Sequence, residues 1–195
     1  MAKKEMTLLE KAGTVLKDPK GFFDAIKRED GVKNAFIFIA AASLVPTVIS
    51  ILAAALGLSQ AANAIESLGF LSIYLLIPVF YVLSVLLYFV QAGILHIFVF
   101  MAGGKKGYHS TYKALAYGNL PSTLVSWIPL IGFIGTLWSL YLVILGISKL
   151  HEITMLRALI AVIVPALAIF LFIVFAAAFW ALGGFNPGIS PILAK

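Results

Sequence analysis

Long apolar runs, separated by short polar connections, occupy most of the chain. A helix needs about 20 mostly apolar residues to cross the hydrocarbon core of a membrane. Three of the runs reach this length, and two shorter ones would each measure roughly 25 Å as a helix, near the lower limit for crossing. The pattern predicts an all-α, polytopic transmembrane helix bundle with five membrane helices, at residues 34–58, 70–101, 111–127, 132–148 and 158–182.

The third and fourth helices are short and are predicted to form a kinked hairpin. The segment YKALAYGNLPSTLVSWIPLIG, residues 112–132, is apolar, yet it contains prolines, glycines and side chains that form hydrogen bonds. Pro121 removes one backbone donor from a helix, and Asn119 and Ser122 can bond to the loosened backbone or to a neighbouring helix. Gly118 lies four residues after an alanine, and such pairs of small residues let membrane helices approach closely.

Two interpretations of this hairpin stay open. In the first, the kink is a seam at which helices pack closely; in the second, the interrupted backbone lines a small polar cavity, as broken helices do in carriers. Whether the hairpin crosses the membrane fully or re-enters also stays open, because its two ends emerge on the same side in either case. The candidate residues for the cavity or for helix packing are Gln91, His96, Gly118, Asn119, Pro121 and Ser122.

Residues 1–33 are predicted to form two short amphipathic helices that lie at the membrane interface. Thr7 and Glu10 have the spacing of a capping box at the start of the first helix. Asp18 and Pro19 are typical of a second helix start, with Asp as the N-cap and Pro at the first helical position. Short amphipathic helices beside a membrane commonly lie in its headgroup region.

The placement of charge predicts the orientation. The chain is 62% hydrophobic and only 11% charged, which leaves too little polar surface to cover a soluble globule. Eight of its 14 basic residues precede residue 34, three lie in the connection 102–113, two lie in the connection 149–157, and the last is Lys195. Basic residues near the ends of membrane helices mark the cytoplasmic side. We therefore predict an integral membrane protein with a cytoplasmic N-terminus and an external C-terminus.

The same reasoning divides the chain into parts. They are a cytoplasmic amphipathic N-terminal segment (1–33), the five-helix membrane domain (34–182) and a short external tail (183–195). The net charge of +6 does not indicate nucleic-acid binding, because the basic residues flank apolar runs and lie close to acidic ones.

Candidate chemistry is sparse. When Lys113 is counted with the connection that precedes it, the spans contain no Asp, Glu, Lys or Arg, which argues against a proton-coupled transporter, an ion pump or an intramembrane protease. The chain has no cysteine for a thiolate metal site or a nucleophile. His151 and Glu152 lack the second histidine of a zincin motif, since Met155 stands in its place. We expect no enzymatic activity, no metal and no cofactor.

The predicted cytoplasmic face has the polar variety that a specific partner requires. It combines the amphipathic helices with the basic loop GGKKGYH, residues 103–109. The leading hypothesis is a non-enzymatic membrane organiser or adaptor that binds lipid or protein partners; the alternative is a small channel or uncharged-solute carrier with its path at the hairpin. Ridges of small residues are compatible with a homo-oligomer and with a monomer. The candidate partner surface is Phe22, Phe23, Lys105, Lys106, His151 and Glu152.

Several stretches resemble the YIP1 family of five-span membrane proteins, over roughly residues 18–165. They are DPKGFFDAI, GGKKGYHSTYKALAYGNLP, IPLIGFIGTLWSLYLVILGISKLHEIT and the pair Arg157-Ala158. The resemblance implies a cytoplasmic N-terminus, a lumenal or external C-terminus, no catalytic residues, and a role in membrane traffic or organisation. Eukaryotic relatives are tied to vesicle traffic and to prenylated Rab-type GTPases and tend to have longer soluble N-terminal regions. The short N-terminal segment here argues for a prokaryotic member in the plasma membrane and against a small GTPase partner.

Overall fold

The computed structural model describes residues 6–56, 70–128 and 130–181. Regular secondary structure within these ranges is entirely helical, as predicted. The helices are α1 (Leu8–Lys17), α2 (Pro19–Ile26), α3 (Lys33–Ala55), α4 (Phe70–Met101), α5 (Tyr108–Gly118), α6 (Leu120–Val125), α7 (Ile131–His151) and α8 (Met155–Ala181). The predicted link 59–69 and the predicted external tail 183–195 lie outside the described residues.

Four of these helices are long and apolar enough to cross a membrane. The spans are Lys33–Ala53, Leu76–Met101, Ile131–His151 and Met155–Ala181. Their outward faces carry large exposed side chains such as Phe100 and Phe172. An apolar surface of this extent requires lipid rather than water around it. The predicted third span is divided between α5 and α6, so the full crossing of residues 111–127 stays a prediction.

Helix α5 is short and comparatively polar, yet it lies at the centre of the fold. It packs against α1, α3, α4 and α7, and most of its side chains are buried. It ends at Gly118, and the backbone N–H of the next residue, the C-cap Asn119, donates to the carbonyl of Leu115 at 3.0 Å. Pro121 then stands in the first turn of α6, where its missing N–H leaves no hydrogen bond unmade.

Close backbone approach holds α5 against α7. A Cβ atom added to Gly118 would lie 2.8 Å from the backbone nitrogen of Val143 and 2.9 Å from its Cα. A Cβ on Gly146 would lie 2.8 Å from the ring of Phe23 and 3.1 Å from the Cβ of Ala114. Small residues are therefore needed at both contacts, as expected where membrane helices pack tightly.

The N-terminal helices begin as predicted. Thr7 and Glu10 form both hydrogen bonds of a capping box at the start of α1. Asp18 accepts a hydrogen bond from the backbone N–H of Gly21 at 3.0 Å, and Pro19 is the first residue of α2.

The apolar stripe of α2 requires a correction to the interfacial prediction. Phe22, Phe23 and Ile26 are fully buried, and α2 packs on α7. The ring of Phe22 meets the ring of Tyr117 edge-on, with 5.1 Å between centroids. This stripe is covered by protein, because α5 and α7 offer small residues and aromatic rings at the point where α2 lies.

Candidate functional site

Most of the buried polar side chains in the described chain gather at one end of the bundle. This end, which we call the basic end, carries α1, α2, the α4–α5 loop (residues 102–107) and the α7–α8 turn (residues 152–154). The buried polar residues of the described chain are Lys11, Ser110, Thr111, Lys113, Ser139 and His151. Buried polar groups are costly unless they are paired, so their partners identify what holds this end together.

One group, the lysine cluster, joins α1 and the α2–α3 connection to α5. It consists of Lys11, Glu29, Lys113 and Tyr117. Lys11 Nζ lies 2.5 Å from Glu29 Oε1 and also donates to the hydroxyl of Tyr117 at 3.1 Å. The hydroxyl of Tyr117 in turn donates to Glu29 Oε2 at 3.1 Å. Both carboxylate oxygens are thereby satisfied, a condition for stable burial of an ion pair.

Lys113 secures the end of α2. Its Nζ donates to the backbone carbonyl of Glu29 at 2.7 Å and to that of Ile26 at 3.3 Å. Ile26 is the last residue of α2, and the last carbonyls of a helix lack partners within the helix and carry partial negative charge. A lysine from α5 therefore caps α2 from a distance of 87 residues in sequence.

Sequence reasoning missed this cluster. It placed Lys113 in a connecting loop, whereas the residue lies within α5 and is 1% exposed. Lys11 was not among the candidate residues. One signal was available: Lys11 lies four residues before Val15, and residues four apart share a helix face, so Lys11 was next to an apolar position.

A second group, the histidine cluster, joins α4, α5 and α7. His96 Nδ1 lies 2.8 Å from the hydroxyl of Thr111, and the same hydroxyl lies 2.8 Å from His151 Nε2. The two imidazole centroids are 5.9 Å apart. Thr111 and His151 are buried, and His151 Nδ1 makes no hydrogen bond to any described residue. The cluster can hold or exchange a proton between two rings through one hydroxyl.

The α4–α5 loop covers the histidine cluster. A Cβ atom on Gly104 would lie 2.9 Å from His151 Nδ1 and 2.6 Å from a methyl of Val99. The Gly104 N–H donates to the carbonyl of Val99 at 2.9 Å, which holds the loop down. Gly103 has a φ of +96°, a conformation that glycine adopts without strain.

Charged side chains remain exposed above these clusters. Lys106 Nζ lies 3.3 Å from the carboxylate of Glu152, and Asp24 accepts from Lys149 at 2.8 Å. The hydrogen bonds from Lys149 and Lys27 lower the pKa of Asp24. The carboxylate therefore contributes stability above its ordinary pKa and loses that contribution as the pH falls below it. These pairs are solvent-exposed, so each contributes little.

The predicted partner surface must be corrected for half of its members. Phe22, Phe23 and His151 are buried inside the fold, where their side chains pack against α5 and α7 or bond to Thr111. Lys105, Lys106 and Glu152 are exposed at the basic end. The charged half of the surface is thus accessible, and the aromatic half serves packing.

The hairpin candidates separate into two places. Gly118, Asn119, Pro121 and Ser122 lie together at the α5–α6 break. Ser122 donates its backbone N–H to Ser139 Oγ at 2.8 Å and its hydroxyl to the carbonyl of Asn119 at 3.0 Å. The backbone N–H and the hydroxyl of Ser122 are therefore paired within the protein, as required in an apolar environment.

The other two candidates lie elsewhere on α4. His96 belongs to the histidine cluster at the opposite end of α5, and Gln91 is exposed. An apolar groove of about 460 Å³ opens between α7 and α8, and its lining residues are Leu137, Leu140, Tyr141, Ile144, Met155, Leu156 and Leu159. Its lining does not include the hairpin candidates. The described residues contain no group of three or more His, Cys, Asp or Glu that could hold a metal ion.

A comparison of the sequence with profiles of known protein families assigns the chain to a family. The family profile of the Yip1 domain matches residues 13–177. This chain belongs to the Yip1 family. The match confirms the resemblance, and the Yip1 family consists of non-enzymatic membrane proteins. Together with the four apolar helices, it identifies an integral membrane protein whose surface contacts lipid. Among curated proteins and among solved structures, nothing matches significantly.

Proposed function

We propose that this Yip1-family protein is a non-enzymatic membrane organiser or adaptor that engages lipid or protein partners through its basic, cytoplasmic end. The observation that carries the proposal is the lysine cluster. It fixes α1 and α2 onto the bundle by an ion pair, a tyrosine and a lysine-capped helix end, so that the basic end is a preformed platform. A preformed surface binds without first losing conformational freedom.

The platform is proposed to face the cytoplasm. In support, it carries the exposed side chains of Lys20, Lys106 and Arg157, and basic residues near span ends mark the cytoplasmic side. With α5 and α6 as the third crossing, the chain spans the membrane five times and ends outside. In a prokaryotic cell, this membrane is the plasma membrane.

The edge of α1 is proposed to contact the headgroups of the same membrane. Val15 is buried against protein, whereas Leu9 is 86% exposed. Leu16 is also exposed and lies two helical turns after Leu9, on the same face of α1. Lys17 and Lys20 are exposed close by in sequence. Exposed leucines next to lysines are typical of helices in the interfacial region. One face of α1 therefore packs on protein and the next on lipid.

Site-specific photo-crosslinking tests the platform. A photoreactive residue at Lys105 or Lys106 is expected to give discrete protein or lipid adducts in native membranes. The matched control is the same residue at Phe172, exposed on the lipid-facing side of α8, where only bulk lipid adducts are expected. Identical adducts from all three positions would contradict a specific surface. Deleting residues 1–30 is a poorer test, because it removes the partners of Lys113 and Tyr117 and the buried phenylalanines.

A flux assay tests the carrier alternative. The two hydrogen bonds of Ser122 and the close contact at Gly118 support a dry seam. Purified protein in lipid vesicles is therefore expected to move no ions or small uncharged solutes above the rate of protein-free vesicles. Flux that depends on the protein and is lost on substituting Asn119 or Ser122 would establish the carrier and contradict the organiser.

A further inference from the structure

We propose that the histidine cluster is a pH-sensitive latch that holds the α4–α5 loop closed at neutral pH and releases it on acidification. The cluster joins three helices through one hydroxyl, and the loop lies directly over it. The consequence for partner binding rests on the proposed function, because the loop carries Lys105 and Lys106. The latch itself is a property of the protein alone.

The shared hydroxyl favours a neutral ring. Thr111 has a single hydroxyl hydrogen, and the ring nitrogen that accepts it must be unprotonated. The hydroxyl oxygen can then accept from the N–H of the other ring. This arrangement uses both 2.8 Å contacts and requires at least one of His96 and His151 to be uncharged.

Protonation of His151 is opposed by its second nitrogen. Nδ1 is buried under Gly104 and makes no hydrogen bond to a described residue. A protonated imidazole carries an N–H at both nitrogens, so His151 would place a charge and an unsatisfied donor under the loop. Leaving such a donor buried costs more than the loss of an ordinary hydrogen bond. Lifting the loop admits water to Nδ1 and removes this cost.

The surrounding charged groups do not offset the cost of a positive charge on His151. The titratable and charged side chains that face the cluster, or the loop above it, are Lys106, Tyr108, His109, Glu152 and Arg157. Lys105 lies in the loop itself and is exposed. Lys106 and His109 repel a positive charge on His151, and the Arg157 guanidinium rests against the loop at Gly103. The one carboxylate among them, Glu152, is exposed and already pairs with Lys106.

The sign of the pH effect follows from proton uptake. The open loop allows His151 to bind a proton that the closed loop disfavours, so the open state binds more protons. The closed state is then fully favoured above the ordinary imidazole pKa of about 6.5 and loses population as the pH falls below it. For one proton, the ratio of open to closed rises about tenfold per pH unit in that range.

Cysteine labelling in lipid vesicles measures the opening. The chain has no cysteine, and Val99 is fully buried beneath the loop. We expect the labelling rate of V99C, divided by that of the exposed control M101C, to rise about tenfold between pH 7.5 and pH 5.5. The ratio removes the pH dependence of the thiol itself.

Variants separate the latch from general acid unfolding. H151Q, made in the V99C background, should flatten the rise, because glutamine keeps a polar side chain that does not titrate. H96Q should keep most of the rise, because His151 and its buried Nδ1 are unchanged. H109Q should retain it. G104A in the same background should label quickly at pH 7.5 already, since its Cβ would lie 2.9 Å from His151 Nδ1 and 3.0 Å from the backbone carbonyl oxygen of residue 99.

Two results would overturn the latch. They are a V99C ratio that does not change between pH 7.5 and pH 5.5, and an undiminished rise in H151Q. Because labelling requires no partner, failure of the latch is distinct from failure of the proposed function, which the crosslinking experiment reports.

Discussion

Replacing Glu29 with alanine is expected to lower the free energy of unfolding by about 2–3 kcal/mol. Removing one member of a buried ion pair leaves the other charge uncompensated, which typically costs 3–5 kcal/mol, and the lower figure reflects the 20% exposure of the Glu29 side chain. Lys11, only 5% exposed, would lose its counter-charge, and Tyr117 would lose its acceptor. The unfolding transition in mixed micelles with increasing SDS measures the change.

The matched control is Asp24→Ala, which removes an exposed carboxylate from the same end of the molecule. Its cost should stay below about 1 kcal/mol, since exposed pairs contribute little. The double variant Lys11→Met with Glu29→Leu should recover part of the loss, because apolar side chains of similar size remove the unpaired charge. If Glu29→Ala lowers the free energy of unfolding no more than Asp24→Ala does, the lysine cluster does not hold α1 and α2 on the bundle.

Gly118→Ala is expected to destabilise the bundle by about 2–3 kcal/mol, at the upper end of the range for overpacking. The added methyl meets the backbone of Val143 at 2.8–2.9 Å, and a backbone atom cannot rotate away as a side chain can. Helices α5 and α7 must therefore separate. The same unfolding assay measures the effect.

Gly93→Ala provides the comparison within a membrane helix. Nothing lies within 4 Å of a Cβ added at Gly93, so the substitution should be neutral or slightly stabilising, because alanine is the better helix former. If Gly118→Ala and Gly93→Ala have the same free energy of unfolding, α5 and α7 do not pack tightly at Gly118. That result would support a solute path through the hairpin.

The sequence was sufficient for the elements whose signals are local. The apolar runs predicted α3, α4, α7 and α8, since length and hydropathy determine a membrane helix. The capping box at Thr7 and the Asp18-Pro19 start of α2 were also predicted correctly, because each cap involves residues within one turn.

Apart from the position of Lys11 on the face of Val15, the sequence carried no signal of the clusters at the basic end, because their partners are distant in sequence. Lys113 can be buried because its Nζ donates hydrogen bonds to the carbonyls of Ile26 and Glu29. The hydrophobic pattern of residues 108–118 contains no sign of these distant partners. The burial of Phe22 likewise depends on Tyr117. An amphipathic pattern predicts that the apolar face of a helix is covered. Whether lipid or protein covers that face depends on the tertiary structure.

The helix-breaking residues of the hairpin can be explained by their contacts in the structure. Gly118 allows contact with α7, Asn119 ends α5, and Pro121 starts α6 where its lost donor costs nothing. Ser122 pairs with Ser139 across the seam. Gly118 and Ser122 thus serve packing between helices, and the proposed function is placed at the basic end instead.

Cysteine accessibility across a sealed membrane tests most directly the claim that the basic end is a cytoplasmic platform. Cysteines at Lys20 and Lys106 should react with an impermeant thiol reagent only from the cytoplasmic side, and cysteines in the link 59–69 only from the opposite side. Labelling of the link and of Lys106 from the same side would contradict the topology and the platform that depends on it.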